Sequence, residues 1–498
     1  MEFSTVLWWF PFVCTSLLIL VSIVREKLGT SLSKLPPGPV PLPIFGSLFK
    51  LGKKPHESLA KLAKTHGPLM SLKLGTLTTI VVTSSSMAKQ VLQKHDQSFA
   101  GRTIPDCLRT EKNHHEFAMV WLQPYSQWRI LRKISNSEIF HSSRLNANQD
   151  IRHKKVRELM EHVNEKCVSG GAVSIGEAAF VTVLNFLSNT MFSVDLGHLD
   201  SVSSQEFKAI VWGIMEEAGR PNLADFFPVL MHIDPQGVRR RMTNYFAKLD
   251  DIFDRIIDER LQSKETQTTP DVLDKLLEYS LESNPEIRRP HINALLKDIF
   301  VAGTDTTSST LEWAMTELIR NHEIMEKARL ELQQTIEKDK VVEESDIAQL
   351  PYLQAIVKET LRLHPPVPLL LPHRAETEVE LCGFTVPKHT QVLVNAWAIS
   401  RDPDTWERPT TFMPERFMGS DIEFKGQDFE LIPFGAGRRI CPGLPLAHRM
   451  VHLMLASLIH SYEWKLGNGM TPENLDMDDK FGITLQKAEP LQAFPTKI

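Results

Sequence analysis

The sequence predicts a mainly helical α+β fold with small β-sheets, built as one large domain. Helical periodicity dominates, with apolar residues at three- and four-residue steps in many parts of the chain. These segments are residues 210–217, 245–261, 271–283, 292–321, 351–363 and 446–462. Strand-like alternation is confined to residues 69–83, 379–386 and 391–395. No repeat or long Gly/Ser linker interrupts the chain after about residue 55, so a single domain is expected.

Composition and charge exclude several classes of protein. Of the 498 residues, 42% are hydrophobic and 23% are charged, which is ordinary for a globular protein and unlike a disordered or polytopic membrane chain. A net charge of −5 gives no basic surface of the kind that binds nucleic acid. The five cysteines are scattered without CxxC spacing, so we expect neither a disulfide framework nor a zinc cluster, and a reducing compartment for the folded part.

The N-terminus predicts a membrane anchor. Residues 6–24 are an almost unbroken apolar run, close to the ~20 residues that cross a bilayer as a helix. A cleaved signal peptide is the alternative, but Arg25 and Lys27 follow the run and no small-residue cleavage site is obvious. We therefore expect an anchor over residues 1–27, a polar and proline-rich hinge over 28–46, and a cytoplasmic catalytic domain over 47–498.

A glycine-rich loop around Cys441 carries the strongest local signal. Its sequence, FGAGRRICPG over residues 434–443, places glycines at 435, 437 and 443, where the backbone can turn sharply and approach a flat ligand. Cys441 precedes the helical pattern of residues 446–462, and a helix start stabilises a thiolate. A lone cysteine is usually a small buried hydrophobe, and only the flanking residues favour a functional thiolate here.

A second motif, AGTDTT over residues 302–307, lies inside the long apolar pattern of residues 292–321. Ala302 and Gly303 would let a flat ligand approach the helix. The Thr306 hydroxyl can bond to its own backbone and locally open the helix. Asp305 beside it could deliver protons, although such a sequence in a helix is more often a solvated face.

These two motifs resemble the cytochrome P450 family, whose haem-binding signature FxxGxRxCxG is matched at every fixed position. The resemblance implies a haem b cofactor with Cys441 as axial thiolate ligand and Arg439 as a propionate partner. Phe434, Gly435 and Gly443 belong to the same cofactor-binding loop. It also implies the cytochrome P450 fold, with Thr306 and Asp305 as the residues of oxygen activation and proton delivery.

Other motifs of the same resemblance occur in the family's order. Glu359 and Arg362 of KETLR, joined by Arg416 of FMPERF, resemble the Glu-Arg-Arg core, an ionic network that fixes the haem-binding region. WRILR implies Trp128 and Arg132 as propionate contacts, and PHR implies His373, although Arg374 could take its place. The adjacent His114 and His115 are expected in an exposed loop.

Family position predicts an apolar substrate pocket, which favours a small lipophilic ligand. Its predicted lining residues are Phe300, Ala302, Gly303, Val367, Leu369, Leu370 and Ile483. Plain core packing is an equally good interpretation of the leucines among them. The chain has no nicotinamide- or flavin-binding GxGxxG unit, so electrons are expected from NADPH-cytochrome P450 reductase.

The linker style and residues 234–241 resemble plant microsomal members, particularly the group of geraniol hydroxylases and diterpenoid oxidases such as ferruginol synthase. We therefore expect a monooxygenase of the endoplasmic reticulum membrane that uses O2 to hydroxylate a mono- or diterpenoid. The alternatives are oxidation of an alkaloid or phenolic on the same scaffold, an oxygen-independent rearrangement, and a haem protein that only carries electrons or senses gas. Retention of Asp305 and Thr306 argues against a mere carrier.

Overall fold

A computed structural model describes residues 34–262, 270–280, 287–338, 340–467 and 469–498. The predicted anchor over residues 1–27 and the first part of the hinge lie outside the described residues. Among the helices that are described, none combines the length and the apolar character needed to cross a bilayer.

Helices are the main secondary structure of the described chain. They are α1 (Pro55–His66), α2 (Ser85–Lys89), α3 (Ser126–Ile134), α4 (Ser142–Ala147), α5 (Gln149–Ser169), α6 (Ile175–Phe192), α7 (Val202–Gly219), α8 (Leu223–Phe226), α9 (Val238–Gln262), α10 (Val272–Glu278), α11 (Arg289–Arg320), α12 (His322–Thr335), α13 (Pro351–Leu363), α14 (Ala396–Ile399) and α15 (Leu444–Ser461). The mainly helical α+β prediction is confirmed.

The strands are short and form small sheets. They are β1 (Leu69–Leu74), β2 (Leu77–Val82), β3 (Gly101–Arg102), β4 (Val173–Ser174), β5 (His373–Arg374), β6 (Val379–Leu381), β7 (Phe384–Val386), β8 (Gln391–Val394), β9 (Tyr462–Leu466), β10 (Asp479–Phe481), β11 (Leu485–Lys487) and β12 (Gln492–Lys497). One sheet has the order β1-β2-β8-β5-β3, in which only the β2–β8 pairing is parallel. The others are β4-β12-β9, β10-β11 and β6-β7.

Helix α11 forms the centre of the molecule. Pro290 occupies its first turn, where a missing N–H costs nothing, and the helix runs for 32 residues to Arg320. Most of its side chains are buried, because it packs against α6, α7, α9, α13 and α15. A helix that is buried on nearly all sides shows weak amphipathic periodicity, and its length rather than its pattern marks it as the core.

Two helices show how well local sequence patterns predict where a helix begins and ends. Helix α13 begins at Pro351 and ends at Leu363, as predicted, because proline starts it and apolar residues fill one face. Helix α10 begins at Val272, and residues 281–283 of its predicted range 271–283 lie outside the described residues. Asp271 accepts a hydrogen bond from the Asp274 backbone N–H and caps the helix start, and the helix ends at Glu278.

Candidate active site

A cavity of about 320 Å³ lies between the middle of α11, the loop over residues 434–443 and the segment after α13. Its wall is largely apolar and includes Val367, Leu370 and Ile483. Cys441 lines this cavity from the loop, and Thr306 lines it from α11. The two motifs that are far apart in the sequence therefore meet at one site.

The loop around Cys441 holds the half-buried sulfur near backbone N–H donors. The Cys441 backbone N–H donates to the Phe434 carbonyl over 3.0 Å, which closes the loop, and α15 begins three residues later at Leu444. Burial raises the pKa of the Cys441 thiol, and the backbone N–H groups of Gly443 and Leu444 oppose that rise. A bound metal cation would favour the ionised form of this sulfur.

The structure explains why two of the predicted loop positions are glycine. Gly437 has φ of +65°, and a side-chain carbon there would lie 1.9 Å from the Leu92 carbonyl oxygen. Gly435 has φ of +70°, and a side-chain carbon there would meet no protein atom closer than Leu370 at 3.8 Å. Gly435 thus presents bare backbone to the cavity, as an approaching flat ligand requires.

Three buried or half-buried arginines, Arg102, Arg132 and Arg439, line the cavity. Arg439 donates to the carbonyls of Ala100 and Leu122, Arg132 to that of Ile440, and Arg102 to that of Leu371. None of the three pairs with a carboxylate among the residues that the structure describes, and the buried Arg102 Nε has no hydrogen-bond partner there.

This arginine cluster carries uncompensated positive charge. Burial, followed by the repulsion of Arg102 and Arg132, lowers the pKa of Arg439 to about 8. The Arg439 guanidinium lies 4.5 Å from the centre of the Trp128 ring, which adds a cation–π contact but no charge. An anionic ligand would neutralise the cluster.

Sequence reasoning missed Arg102. It lies in the two-residue strand β3, whose neighbourhood has no family motif, and it reaches the cavity because β3 pairs with β5. No local signal at residues 101–103 would have found it, since the pairing of β3 with a strand some 270 residues away brings it to the site.

His373 lies in the cavity wall as predicted, but its hydrogen bonding restricts its role. Its Nδ1 donates to the Phe99 carbonyl over 2.7 Å. Burial and the nearby Arg102 lower the pKa of His373 well below the usual range, so the ring is neutral and Nε2 is an acceptor. A carboxylate bound beside Nε2 would oppose that lowering of the pKa and favour a second N–H there, so His373 stays a predicted propionate contact beside the arginines.

The motif on α11 divides between the cavity and the core. Thr306 faces the cavity, and its hydroxyl donates to the Ala302 carbonyl over 2.7 Å, but α11 continues through this turn without the predicted opening. Asp305 is buried outside the cavity, where its carboxylate accepts from Thr484 over 2.7 Å and from Gln486. Burial raises the pKa of Asp305, and the Thr484 and Gln486 hydrogen bonds oppose the rise.

Glu359, Arg362 and Arg416 form one buried network, as the sequence predicts. Arg362 binds both carboxylate oxygens of Glu359 at 2.7 and 2.9 Å, and Arg416 contacts the same carboxylate at 3.1 Å. The Met413 backbone N–H also donates to Glu359, while Arg362 donates to the carbonyls of Ser400 and other loop residues. The network therefore ties α13 to the chain that leads into the Cys441 loop.

Five of the seven predicted pocket residues line the cavity, and two do not. Ala302, Gly303, Val367, Leu370 and Ile483 line it. Phe300 instead packs among aromatic rings, stacked on Phe192 at 5.5 Å, because it lies on the opposite face of α11. Leu369 faces the neighbouring core around β1 and β2. The prediction that Phe300 and Leu369 line the pocket is wrong.

The prediction of an exposed His114 is also wrong. His114 is 5% exposed, lines the cavity and packs against Phe246 of α9 at 4.5 Å. Its Nε2 lies 3.6 Å from the Asp298 carboxylate of α11. No third metal ligand follows from the sequence, and so no reason for burial, whereas the fold places this loop against α9. His115 is only partly buried.

The donors around the cavity fit a haem. The half-buried Cys441 would supply a thiolate, and bare glycine backbone lies beside it. The arginine cluster has no carboxylate partner among the described residues, and two propionates would provide that negative charge. We expect Phe434 and Gly443, which also line the cavity, to contact the same group.

Comparison with known proteins gives a consistent assignment. The family model described as cytochrome P450 matches residues 36–492. Geraniol 8-hydroxylase of Swertia mussotii is 58% identical over 93% of this chain and 94% of its own length. The enzyme of the same name from Catharanthus roseus is 57% identical over the same shares, and drimenol monooxygenase of Persicaria hydropiper is 51% identical over 97% of each chain. The chain therefore belongs to the cytochrome P450 family and is a haem-thiolate monooxygenase.

Proposed function

We propose that this enzyme hydroxylates a mono- or diterpenoid, using O2 and electrons from NADPH-cytochrome P450 reductase. The observation that carries the proposal is the cavity itself, where Cys441 and Thr306 face a mostly apolar space that suits a lipophilic molecule. The names of two relatives, geraniol 8-hydroxylase and drimenol monooxygenase, support a terpenoid alcohol within that class.

Cys441 would hold the haem iron through its thiolate. When bound, the haem supplies the oxygen chemistry, which a thiolate ligand favours. Arg102, Arg132 and Arg439 are the proposed propionate donors, because they lack carboxylate partners within the described residues. Trp128 supports Arg439 through its ring. His373 could join them only in its protonated form.

Thr306 and Asp305 take different roles in proton movement. The Thr306 hydroxyl faces the cavity and can rotate from the Ala302 carbonyl toward a ligand. Asp305 is a positioning residue, because it does not line the cavity itself. Its carboxylate accepts a hydrogen bond from the hydroxyl of Thr484, which does line the cavity. A proton could then pass between Asp305 and the cavity by way of Thr484.

The reductase is proposed to dock on the basic surface near the Cys441 loop. Arg129 and Lys133 of α3 are exposed there, whereas Arg438 is already paired with Asp96 at 3.0 Å. Replacing Arg129 and Lys133 by Gln should slow reduction of the enzyme by its reductase, and Arg438→Gln serves as the control because its charge is already compensated. Unchanged reduction after loss of Arg129 and Lys133 would argue against this surface.

The proposed location is the endoplasmic reticulum membrane, with a single anchor over residues 1–27, a hinge over 28–46 and a cytoplasmic catalytic domain over 47–498. Exposed apolar residues near the start of the described chain support membrane contact, among them Val40 (85% exposed) and Phe49 (71% exposed). Phe45 of the same segment packs against Phe227, next to the exposed Val229 (83% exposed). Deletion of residues 1–27 should weaken attachment to microsomes, and unchanged attachment would contradict the anchor.

The substrate class is tested by expressing the enzyme in microsomes with a plant reductase and supplying a panel of mono- and diterpenoids. NADPH-dependent hydroxylated products from the panel would support the proposal. Products formed only from alkaloids or phenolics would overturn the terpenoid assignment and keep the monooxygenase. Turnover that needs neither NADPH nor reductase would instead indicate an oxygen-independent rearrangement.

A further inference from the structure

Arg102 lines the cavity from a strand that gives its backbone little support. Strand β3 has two residues and lies at the edge of its sheet, so one side of its backbone has no described strand beside it. The Arg102 side chain makes one hydrogen bond within the described chain, from Nη1 to the Leu371 carbonyl over 2.9 Å. The position of the guanidinium therefore depends on what holds the backbone of Arg102.

The side-chain amide of Gln123 holds that backbone. Its Oε1 accepts a hydrogen bond from the Arg102 backbone N–H over 3.2 Å, and its Nε2 donates to the Arg102 carbonyl over 3.3 Å. Both polar groups of the Arg102 main chain are thus bonded, as they would be by a peptide group of a neighbouring strand. Gln123 therefore closes the open edge of β3 at the residue whose side chain lines the cavity.

The partners of the Gln123 amide fix its orientation. Oε1 also accepts a hydrogen bond from Nη2 of Arg374 over 3.1 Å, so this oxygen faces two donors, whereas Nε2 faces a carbonyl oxygen. A reversed amide would bring N–H groups together and could not form these bonds. Arg374 is held in turn by Oε1 of Glu376, at 2.9 and 3.0 Å. The amide therefore has a single favourable arrangement.

The same short segment also holds a second arginine of the cluster. Leu122 precedes Gln123, and its carbonyl accepts a hydrogen bond from Nη2 of Arg439 over 2.5 Å. Two adjacent residues thus bind Arg439 through the main chain and Arg102 through a side chain. The spacing of the two guanidiniums at the cavity wall therefore depends on residues 122–123.

Holding Arg102 close to Arg439 has an electrostatic cost. Burial, followed by repulsion from Arg102, lowers the pKa of Arg439 to about 8, and burial lowers the pKa of Arg102 to about 10. Two like charges in a buried cluster move apart when nothing restrains them. The hydrogen bonds of Gln123 supply a restraint on Arg102.

We propose that Gln123 is a positioning residue for Arg102, and that its amide keeps the Arg102 guanidinium in place to bind a haem propionate. This inference rests on the proposed role of Arg102 as a propionate donor and deepens it. Gln123 does not line the cavity, so it acts through Arg102. A preorganised donor loses less free energy on binding than a mobile one. Positive charge held near the haem also favours the reduced iron, whose charge is one unit lower.

The test is a double-mutant cycle on the haem-loaded enzyme, which compares the native enzyme, Gln123→Leu, Arg102→Leu and the double variant. Two properties are measured, the rate of haem transfer to an acceptor protein and the reduction potential of the haem. Gln127→Leu is the matched control, because Gln127 is a half-buried glutamine of the following helix α3 and does not line the cavity.

We expect Gln123→Leu to lose haem about two- to tenfold faster than the native enzyme and to have a lower reduction potential. Gln127→Leu should match the native enzyme in both properties. In the Arg102→Leu background, Gln123→Leu should change neither property further, because the guanidinium that Gln123 positions is gone. A residue that merely stabilised the loop would instead have the same effect in both backgrounds.

Equal effects of Gln123→Leu in the two backgrounds, or no effect in the native background, would overturn the positioning role alone. If the leucine variant does not load haem, Gln123→Asn takes its place, because its amide is one carbon too short to reach both backbone groups. Native haem transfer and potential in Gln123→Asn would then overturn the role. If Arg102→Leu itself changed neither property, the proposed propionate contact of Arg102 would be overturned together with the role of Gln123.

Discussion

The molecule contains two clusters of buried charge that differ in how they are compensated. In the network of Glu359, Arg362 and Arg416, every charged group finds a partner within the protein. In the cluster of Arg102, Arg132 and Arg439, no carboxylate within the described chain pairs with a guanidinium. A closed network is compensated without a ligand, and removing one of its members leaves a buried charge unpaired, whereas an open cluster is compensated only by an anionic ligand.

The closed network should show the largest effect on stability. Glu359→Gln leaves Arg362 and Arg416 buried without a counter-charge, and breaking such a pair costs about 3–5 kcal/mol. We expect chemical unfolding to reveal this loss whether or not haem is bound. Glu216→Gln, at an exposed pair with Arg220, should cost less than about 1 kcal/mol. A loss that appears only in the haem-loaded protein would break the distinction between the two clusters.

Helix α11 shows a similar contrast between a hydroxyl that is buried within the protein and one that faces the cavity. Thr306→Ala removes the cavity-facing hydroxyl, so product formation should fall about 100-fold while reductant consumption continues. The control is Thr304→Ala, because the Thr304 hydroxyl is buried against the Phe300 carbonyl at 2.6 Å, away from the cavity. Fully coupled turnover in Thr306→Ala would remove Thr306 from proton delivery.

Loss of an arginine from the open cluster should weaken the binding of haem. Arg102→Leu removes one proposed propionate donor, and a hydrogen bond to a charged group contributes about 1.5–3 kcal/mol, so transfer of haem to an acceptor protein should be at least tenfold faster. Arg438→Leu is the control, since Arg438 is exposed and paired with Asp96. Unchanged haem loss from Arg102→Leu would mean that Arg102 serves only the fold.

The smallest expected effect comes from substitutions on α11, where one residue faces the cavity and another faces the core. Ala302→Leu adds bulk inside the cavity and should weaken substrate binding by about 1–3 kcal/mol, as measured by calorimetry. Phe300→Leu should instead lower the free energy of unfolding and leave substrate selection unchanged, because Phe300 packs against Phe192 and Phe253 outside the cavity. A changed substrate preference in Phe300→Leu would contradict its assignment to the core.

Much of this architecture could be predicted from the sequence, because the signals are local. The fold class, the ends of α13 and the family follow from periodicity, proline and contiguous motifs, and the comparisons confirm the family. Glu359 and Arg362 share one helix turn, so their contact could be predicted as well.

What could not be predicted depends on contacts between distant parts of the chain. Arg102 reaches the cavity through strand pairing, and His114 is buried because α9 covers its loop. Family position predicts that Phe300 lines the pocket, whereas it packs on the opposite face of α11, and a helix that is buried all round has no polar side to correct that prediction. Leu369 and Leu370 are neighbours in an irregular segment, where sequence spacing does not set direction.

The central claim is that the Cys441 thiolate binds the haem iron, and the spectrum of the reduced, carbon monoxide-treated protein tests it most directly. We expect the native enzyme to show the red-shifted absorption band that a thiolate ligand produces, Cys441→Ser to lose it, and Cys382→Ser, at an exposed cysteine, to keep it. A native spectrum without that band, or a Cys441→Ser enzyme that retains it, would contradict the account.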